Sequence, residues 1–437
     1  MQEVDLSLDA EWVIPMTTPG AYETRRSVIV SGGCIVDIVA RDEVPRRYRP
    51  ARRVDLSRHA LLPGFVNAHT HAAMTLFRGF ADDLPLETWL TRHLWPAEER
   101  HVDRSFVHDG ADLAIAEMLL GGTTCFNDMY FFPEATAECA QRAGIRAVVG
   151  LIIIGFSSAW AKTTDEYFSR GQRVHDALRD VPLVGTAFAP HAPYSVDDEV
   201  LRRVATLAAE IDLPVHMHVH ETRQEVVTAE REQGERPLTR LARHGLVDDR
   251  LVAVHMTELS KREVADVARH GVSVVHCPQS NLKLASGLCR VQELAAAGVN
   301  VAIGTDGAAS NNDLDMLDEI RSAALIGKLA AEDPTAVSAG AALTMATANG
   351  ARALGLGEIT GTLAPGKAAD IIAIDLDRPA TQPVYDPVSQ VVYTAGRDQV
   401  SHVYVAGVEK VAGGELTGID RAEVLARAQR WRARIGH

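Results

Sequence analysis

LLPGFVNAHTH (61–71), LPVHMHVHE (213–221) and VNVAIGTD (299–306) decide how this chain folds. Each is an apolar run of strand-forming residues that closes on histidine or an acid. Five further runs share the apolar pattern: TTCFNDM (123–129), IRAVVGLI (145–152), LVGTAFAPH (183–191), LVAVH (251–255) and VSVVHC (272–277). Amphipathic stretches such as DGADLAIAEMLLGG (109–122) and EVLRRVATLAAEI (199–211) lie between them. Continuous apolar strands separated by helices imply a parallel sheet covered on both faces. Eight strand–helix units predict an α/β chain built on a closed (β/α)8 barrel, over residues 63–362. An open doubly wound sheet is the alternative, but no GxGxxG follows the first strand.

The two ends read differently. Residues 1–62 hold short β-type runs, VDLSLDAEWVI (4–14), RRSVIV (25–30) and CIVDIVA (34–40). The last two are joined at Gly32-Gly33, a hairpin signal. Residues 363–437 hold AADIIAIDL (368–376), VVYTAG (391–396) and HVYVAGVEKV (402–411), all read as strands, then a helical segment from Arg421 to Ile435. Neither end has enough strands for a stable sheet alone. Together they predict one small β-sandwich domain assembled from both termini.

Composition narrows the function. The 437 residues carry a formal charge of −14, which argues against nucleic acid or an anionic membrane as partner. The longest apolar stretch, Ala147 to Phe156, is far shorter than the ~20 residues of a membrane helix. The five cysteines are scattered, without a CxxC pair, and MQEVDLSLDAEW (1–12) lacks the order of a secretory signal. A cytoplasmic setting is expected, with homo-oligomerisation left open.

Six of the eight runs place histidine or an acid at or near their C-terminal end: His69 and His71; His191; His218, His220 and Glu221; His255; His276; and Asp306. In a (β/α)8 barrel these ends meet at one face, where active sites form. Residues i and i+2 of a strand point the same way, so His69 and His71 can reach one ion. His216, His218 and His220 share a period of two. His218 is the best placed as a ligand, His220 lies nearer the rim, and His216 is expected in the core or just behind the ligands. An acid such as Asp306 at the end of a buried strand is costly unless it is paired or binds metal. Three histidines and one aspartate suit a single zinc ion, with iron or manganese as alternatives, and leave a position open for water.

These residues resemble the amidohydrolase superfamily, and within it the 5-methylthioadenosine/S-adenosylhomocysteine deaminase group. The likeness runs through PGFVNAHTHAAMTLFRGFADDLPLETWL (63–90), His218 to Glu221, VVHCPQSNLKLASG (274–287), IGTDGAASNNDLDML (303–317) and TLAPGKAADIIAIDL (362–376). The resemblance implies a zinc site of His69, His71, His218 and Asp306. It implies Glu221 and His255 as proton-transfer groups, and Trp89, Glu98, His191 and Ser310 as substrate contacts. Glu221 is then the proton donor to N1 of an adenine ring attacked at C6, with Asp306 and His255 orienting and deprotonating the water. Glu98 suits a ribose diol, because a carboxylate has two oxygens.

One departure bears on the substrate. Members of the group that accept adenosylhomocysteine can supply an arginine near the end of the third strand. Here VVGLIIIGF (148–156) has none, and Arg146 is at the other end. A desolvated carboxylate without a partner is expensive, which favours 5′-methylthioadenosine over S-adenosylhomocysteine. The competing readings are a guanine, pterin or triazine hydrolase on the same scaffold, and a non-catalytic barrel that binds or assembles.

Overall fold

Eight parallel strands run through the middle of the computed structural model, which describes residues 1–436: β1 (Phe65–Thr70), β2 (Thr123–Asp128), β3 (Arg146–Ile153), β4 (Val184–Pro190), β5 (Val215–Val219), β6 (Leu251–His255), β7 (Ser273–His276) and β8 (Asn300–Ile303). They pair in chain order from β1 to β8, and helices follow along the chain. All eight coincide with the apolar runs of the sequence, and each is buried almost end to end. That is what a sheet with both faces covered demands.

Polar groups join β8 to β1. Asp306 N donates to His69 O at 3.0 Å. Thr305 N donates to Asn67 Oδ1 at 3.0 Å, and Asn67 Nδ2 returns a bond to Thr305 Oγ1 at 2.8 Å. Gly304 is needed at this seam: a Cβ there would lie 2.7 Å from His69 N. A barrel of this kind sets the ends of β1 and β8 side by side, although more than 200 residues separate them.

Strands from both termini form a second sheet, mixed and eight-stranded. Its centre is the strand Tyr48–Pro63, parallel to Gln2–Val13 on one side and antiparallel to Ile371–Asp375 on the other. The Gly32-Gly33 hairpin joins Glu23–Ser31 to Cys34–Ala40, with both glycines at positive φ. Leu8, Val28, Ile35, Leu61, Ile371 and Tyr404 share one apolar cluster inside this sheet. The buried Arg146 side chain ties it to the barrel. Its guanidinium donates to Asp370 (Nε to Oδ2, 3.1 Å), which also accepts from Ala406 N at 2.7 Å. The helix Arg421–Ile435 docks on the helix Arg104–Leu120, with Trp431 Nε1 donating to Asp109 at 2.8 Å. His437 lies outside the described residues.

One expectation is corrected. VVYTAG is not a strand: Pro387–Tyr393 is a helix that begins at an Asp386 cap, whose side chain accepts from Val388 N. Aspartate followed by proline is a helix-start signal. Val388, Val391 and Val392 recur at helical spacing and are buried, so the β-branched residues misled by type while their period was helical.

Candidate active site

The C-terminal ends of the barrel strands bring His69, His71, His218 and Asp306 together. One donor atom from each lies within 4.8 Å of all the others. His69 Nε2 and His71 Nε2 are 3.4 and 3.2 Å from Asp306 Oδ1, and His218 Nε2 is 3.2 Å from His69 Nε2.

The other edge of each ring is anchored. His71 Nδ1 meets Met129 O at 2.5 Å, His218 Nδ1 meets His191 O at 2.8 Å, and His69 Nδ1 meets His216 Nε2 at 2.8 Å. A carbonyl only accepts, so Nδ1 of His71 and of His218 carries the proton. In the neutral rings Nε2 is then a lone pair turned inward. Lone pairs and a carboxylate converging in a buried space fit a divalent cation, and the three-nitrogen, one-oxygen set suits zinc.

Electrostatics separate the three rings. Burial pushes His69 down to about 4, and burial with neighbouring histidines holds His218 well below its usual value. Burial opposes charge on His71 too, yet the Asp306 hydrogen bond and charge lift it to about 9. Asp306 is buried, which alone would raise it. Contacts with His69 and His71 instead hold it well below the usual carboxylate range. Its Oδ2 accepts from Ser280 Oγ (2.6 Å) and Ser310 Oγ (2.7 Å), and its Oδ1 accepts from Gly307 N (2.8 Å).

Glu221 and His255 sit beside this set, with His255 Nε2 3.8 Å from Glu221 Oε1. Burial raises the Glu221 carboxyl, partly offset by His255. His255 Nδ1 lies 2.9 Å from Asn281 Oδ1, which makes Nδ1 the donor and leaves Nε2 as the acceptor facing Glu221. His220, His255 and Asp306 all have positive φ, at 53°, 75° and 62°. Such backbone is uncommon outside glycine and clusters where function over-determines it.

The cavity over the site is lined by Trp89, Glu98, His191, Glu221, His255, Asp306 and Ser310, among others. Every sequence-derived contact residue is therefore present. Glu98 is not a solvated acid: Tyr130 donates its hydroxyl to Oε1 at 2.6 Å, and burial pushes Glu98 up to about 7. Ser310 already spends its hydroxyl on Asp306. Trp89 is buried in a segment that Asp82 pins across the mouth, through Lys283 Nζ (2.6 Å) and Asn312 Nδ2 (3.0 Å).

His220 departs from expectation. It does not reach the rim of the site: its ring is buried with Nε2 accepting from Leu238 N at 3.2 Å, near Glu263. β5 ends at Val219, and the left-handed turn at His220 breaks the period of two. His276, although buried, lines no part of the cavity. Sequence reasoning did not find Tyr130, and gave Asn281 and Ser280 no role. Tyr130 follows β2 at its C-terminal end, the position that marks functional residues in this architecture.

Comparison with known proteins places the chain. The profile of the Amidohydrolase family matches residues 60–410. A 5-methylthioadenosine/S-adenosylhomocysteine deaminase of Teredinibacter turnerae is 49% identical over 433 residues, covering 99% of this chain and 98% of its own. The protein of that name from Saccharophagus degradans is 44% identical over 431 residues, covering 99% and 97%. Among solved structures, an adenosine deaminase from Xanthomonas campestris with bound zinc superposes with a TM-score of 0.99 at 50% identity, covering 100% of this chain and 99% of its own. The atrazine chlorohydrolase of Arthrobacter aurescens, at 24% identity and a TM-score of 0.89 over 98% and 99% of the two chains, shares the fold.

Proposed function

The chain belongs to the amidohydrolase family, and from that premise we propose that it is a zinc-dependent deaminase of adenosine-type nucleosides, with 5′-methylthioadenosine as its favoured substrate. The observation that carries the reading is a Glu98 carboxyl in the same cavity as the His69, His71, His218 and Asp306 donor set and the Glu221–His255 pair. A ribose diol is what a carboxylate there would recognise. The full-length likeness to proteins named as deaminases of methylthioadenosine and adenosylhomocysteine supports the same substrate class.

In this reading His69, His71, His218 and Asp306 hold zinc, which when bound supplies the Lewis acidity that makes water nucleophilic near neutral pH. Asp306, kept ionised by its contacts, orients the water, and His255 Nε2 takes its proton. Glu221, whose carboxyl is raised by burial, delivers a proton to ring N1 as C6 is attacked. The proton taken by His255 passes to the departing amino group, and as ammonia leaves the C6 hydroxyl proton returns to Glu221, giving the 6-oxopurine. His191 and Trp89 hold the purine in the cavity.

The 5′ end favours an apolar group. A cavity of about 540 Å³ adjoins the site through Trp95, Glu98, Phe131 and Phe156. The cation that lines it, Lys162, already donates to Ser158 O at 2.6 Å. Arg146 is buried against Asp370, and Arg170 pairs with Glu166 at 2.6 Å. A thioether methyl gains from the aromatic walls, whereas an amino-acid carboxylate would meet a lining cation that is already partly engaged by a backbone carbonyl.

We extend the reading to the whole chain. The catalytic barrel spans residues 63–362 between the two parts of the small β-domain, and its partner is a small nucleoside, not nucleic acid. The five unpaired cysteines suit a cytoplasmic setting. No helix among the described residues is long and apolar enough to cross a membrane. Self-association as a homo-oligomer is testable by sedimentation.

Steady-state kinetics on methylthioadenosine, adenosylhomocysteine, adenosine and guanine with zinc-loaded protein test the proposal. Ammonia release is expected from the adenine nucleosides, with the largest kcat/KM for methylthioadenosine. Preference for guanine would refute the substrate class. A larger kcat/KM for adenosylhomocysteine would refute only the 5′ assignment.

A further inference from the structure

Two consecutive residues after β2 reach two different parts of the site. Met129 presents its carbonyl oxygen to His71 Nδ1 at 2.5 Å, and Tyr130 donates its hydroxyl to Glu98 Oε1 at 2.6 Å. The segment carrying them is itself fixed. Asp128, directly before it, accepts from Ala72 N at 2.7 Å and from Thr136 Oγ1 at 2.9 Å. Tyr130 is 4% exposed, so its ring has little freedom to swing away. The distance between the metal donor set and the Glu98 carboxyl is thus spanned by one rigid piece of backbone and a single phenol.

Glu98 comes from a different element, the short helix Trp95–His101, which follows the segment crossing the cavity mouth. The Tyr130 hydroxyl takes one acceptor position on Oε1, and a carboxylate offers about four. Burial works against an ionised Glu98, while the Tyr130 hydrogen bond and the His71 charge favour it. A phenol that donates favours the carboxylate form, and that form is the one able to accept from two vicinal hydroxyls.

We propose that Tyr130 is a positioning residue, which fixes the Glu98 carboxylate at a set distance from the metal donor set and thereby makes the site prefer ribosyl over 2′-deoxyribosyl substrates. The inference rests on the reading of Glu98 as the acceptor of the ribose hydroxyls. A purine held at the metal by its C6 end projects its sugar a fixed distance away. An acceptor anchored to the same backbone that anchors His71 keeps the two recognition points in register. Tyr130 lines the cavity and acts through Glu98.

The test compares zinc-loaded wild type, Tyr130→Phe and Glu98→Gln on methylthioadenosine and its 2′-deoxy analogue. Phenylalanine keeps the ring and removes one oxygen. A hydrogen bond to a charged group is worth about tenfold or more. Tyr130→Phe should therefore raise KM for the ribosyl substrate about tenfold while kcat stays within about threefold. The ribosyl preference should shrink by a similar factor, with zinc per chain unchanged. If Glu98→Gln removes the preference and Tyr130→Phe leaves it intact, or lowers both substrates equally, the Tyr130 inference is overturned and the Glu98 reading stands. If Glu98→Gln also leaves the preference intact, the Glu98 reading falls and takes the inference with it.

Discussion

His216 shows how much of the site's strength lies behind the metal donors. Its Nε2 is 2.8 Å from Nδ1 of His69, both rings are buried, and its own Nδ1 has no partner. In the metal-bound protein His69 must offer Nε2 as a lone pair, so its proton sits on Nδ1 and needs an acceptor. His216→Leu removes that acceptor and leaves a buried N–H unsatisfied, at about 1–3 kcal/mol. The metal-free protein escapes most of this cost. There His69 can shift its proton to Nε2, which faces Asp306 Oδ1 at 3.4 Å. The penalty therefore falls on the bound state and appears as weaker zinc binding, by roughly 5–150-fold, a span centred on the ~10–100-fold known for partners of metal-bound histidines. His216→Gln places a carbonyl oxygen near the lost nitrogen and should recover much of the affinity. The assay is chelator competition for zinc at fixed pH. Leucine at 216 with wild-type zinc affinity would refute the argument, and glutamine as damaging as leucine would reduce His216 to packing.

Three further outcomes follow from the same geometry. Glu221→Gln keeps the shape but cannot cycle a proton, so turnover should fall by about 10²–10⁴-fold with zinc retained, read by steady-state kinetics and metal analysis. Glu98 is pushed up to about 7 by burial, so its acceptor form is lost as pH falls through about 7. KM for a ribonucleoside should rise on that acid side, and the rise should vanish in Glu98→Gln. Gly304→Ala forces a Cβ to 2.7 Å from His69 N and 2.9 Å from His69 O, so the seam between β8 and β1 must open. Overpacking of this kind costs about 1–3 kcal/mol, and both Tm and zinc retention should drop, because Asp306 and His69 share that seam.

The barrel and the gathering of polar strand ends at one face were legible in the sequence for one reason, while the proton-transfer roles of Glu221 and His255 were implied by resemblance. Strand ends in a parallel barrel all face one way, so a chemical residue at the end of an apolar run declares its destination. His69, His71, His218, Glu221, His255 and Asp306 were readable on that basis. Trp89, Glu98, His191 and Ser310 came from resemblance, and all four line the cavity. Local type misled where tertiary context overrode it: the valines of 388–392 pack as a helix, and His220 leaves the strand period through a left-handed turn.

Side-chain partners were not legible, because a hydrogen bond across the barrel links residues with no sequence relation. Nothing in HMHVHE says that His216 supports His69 rather than filling core. Nothing in DMYF says that its tyrosine holds an acid about thirty residues earlier. Periodicity along the chain determined which residues reach the mouth of the barrel. Only the closure of eight strands on themselves decided which of them touch, since that contact depends on strand neighbours and ring orientation in three dimensions.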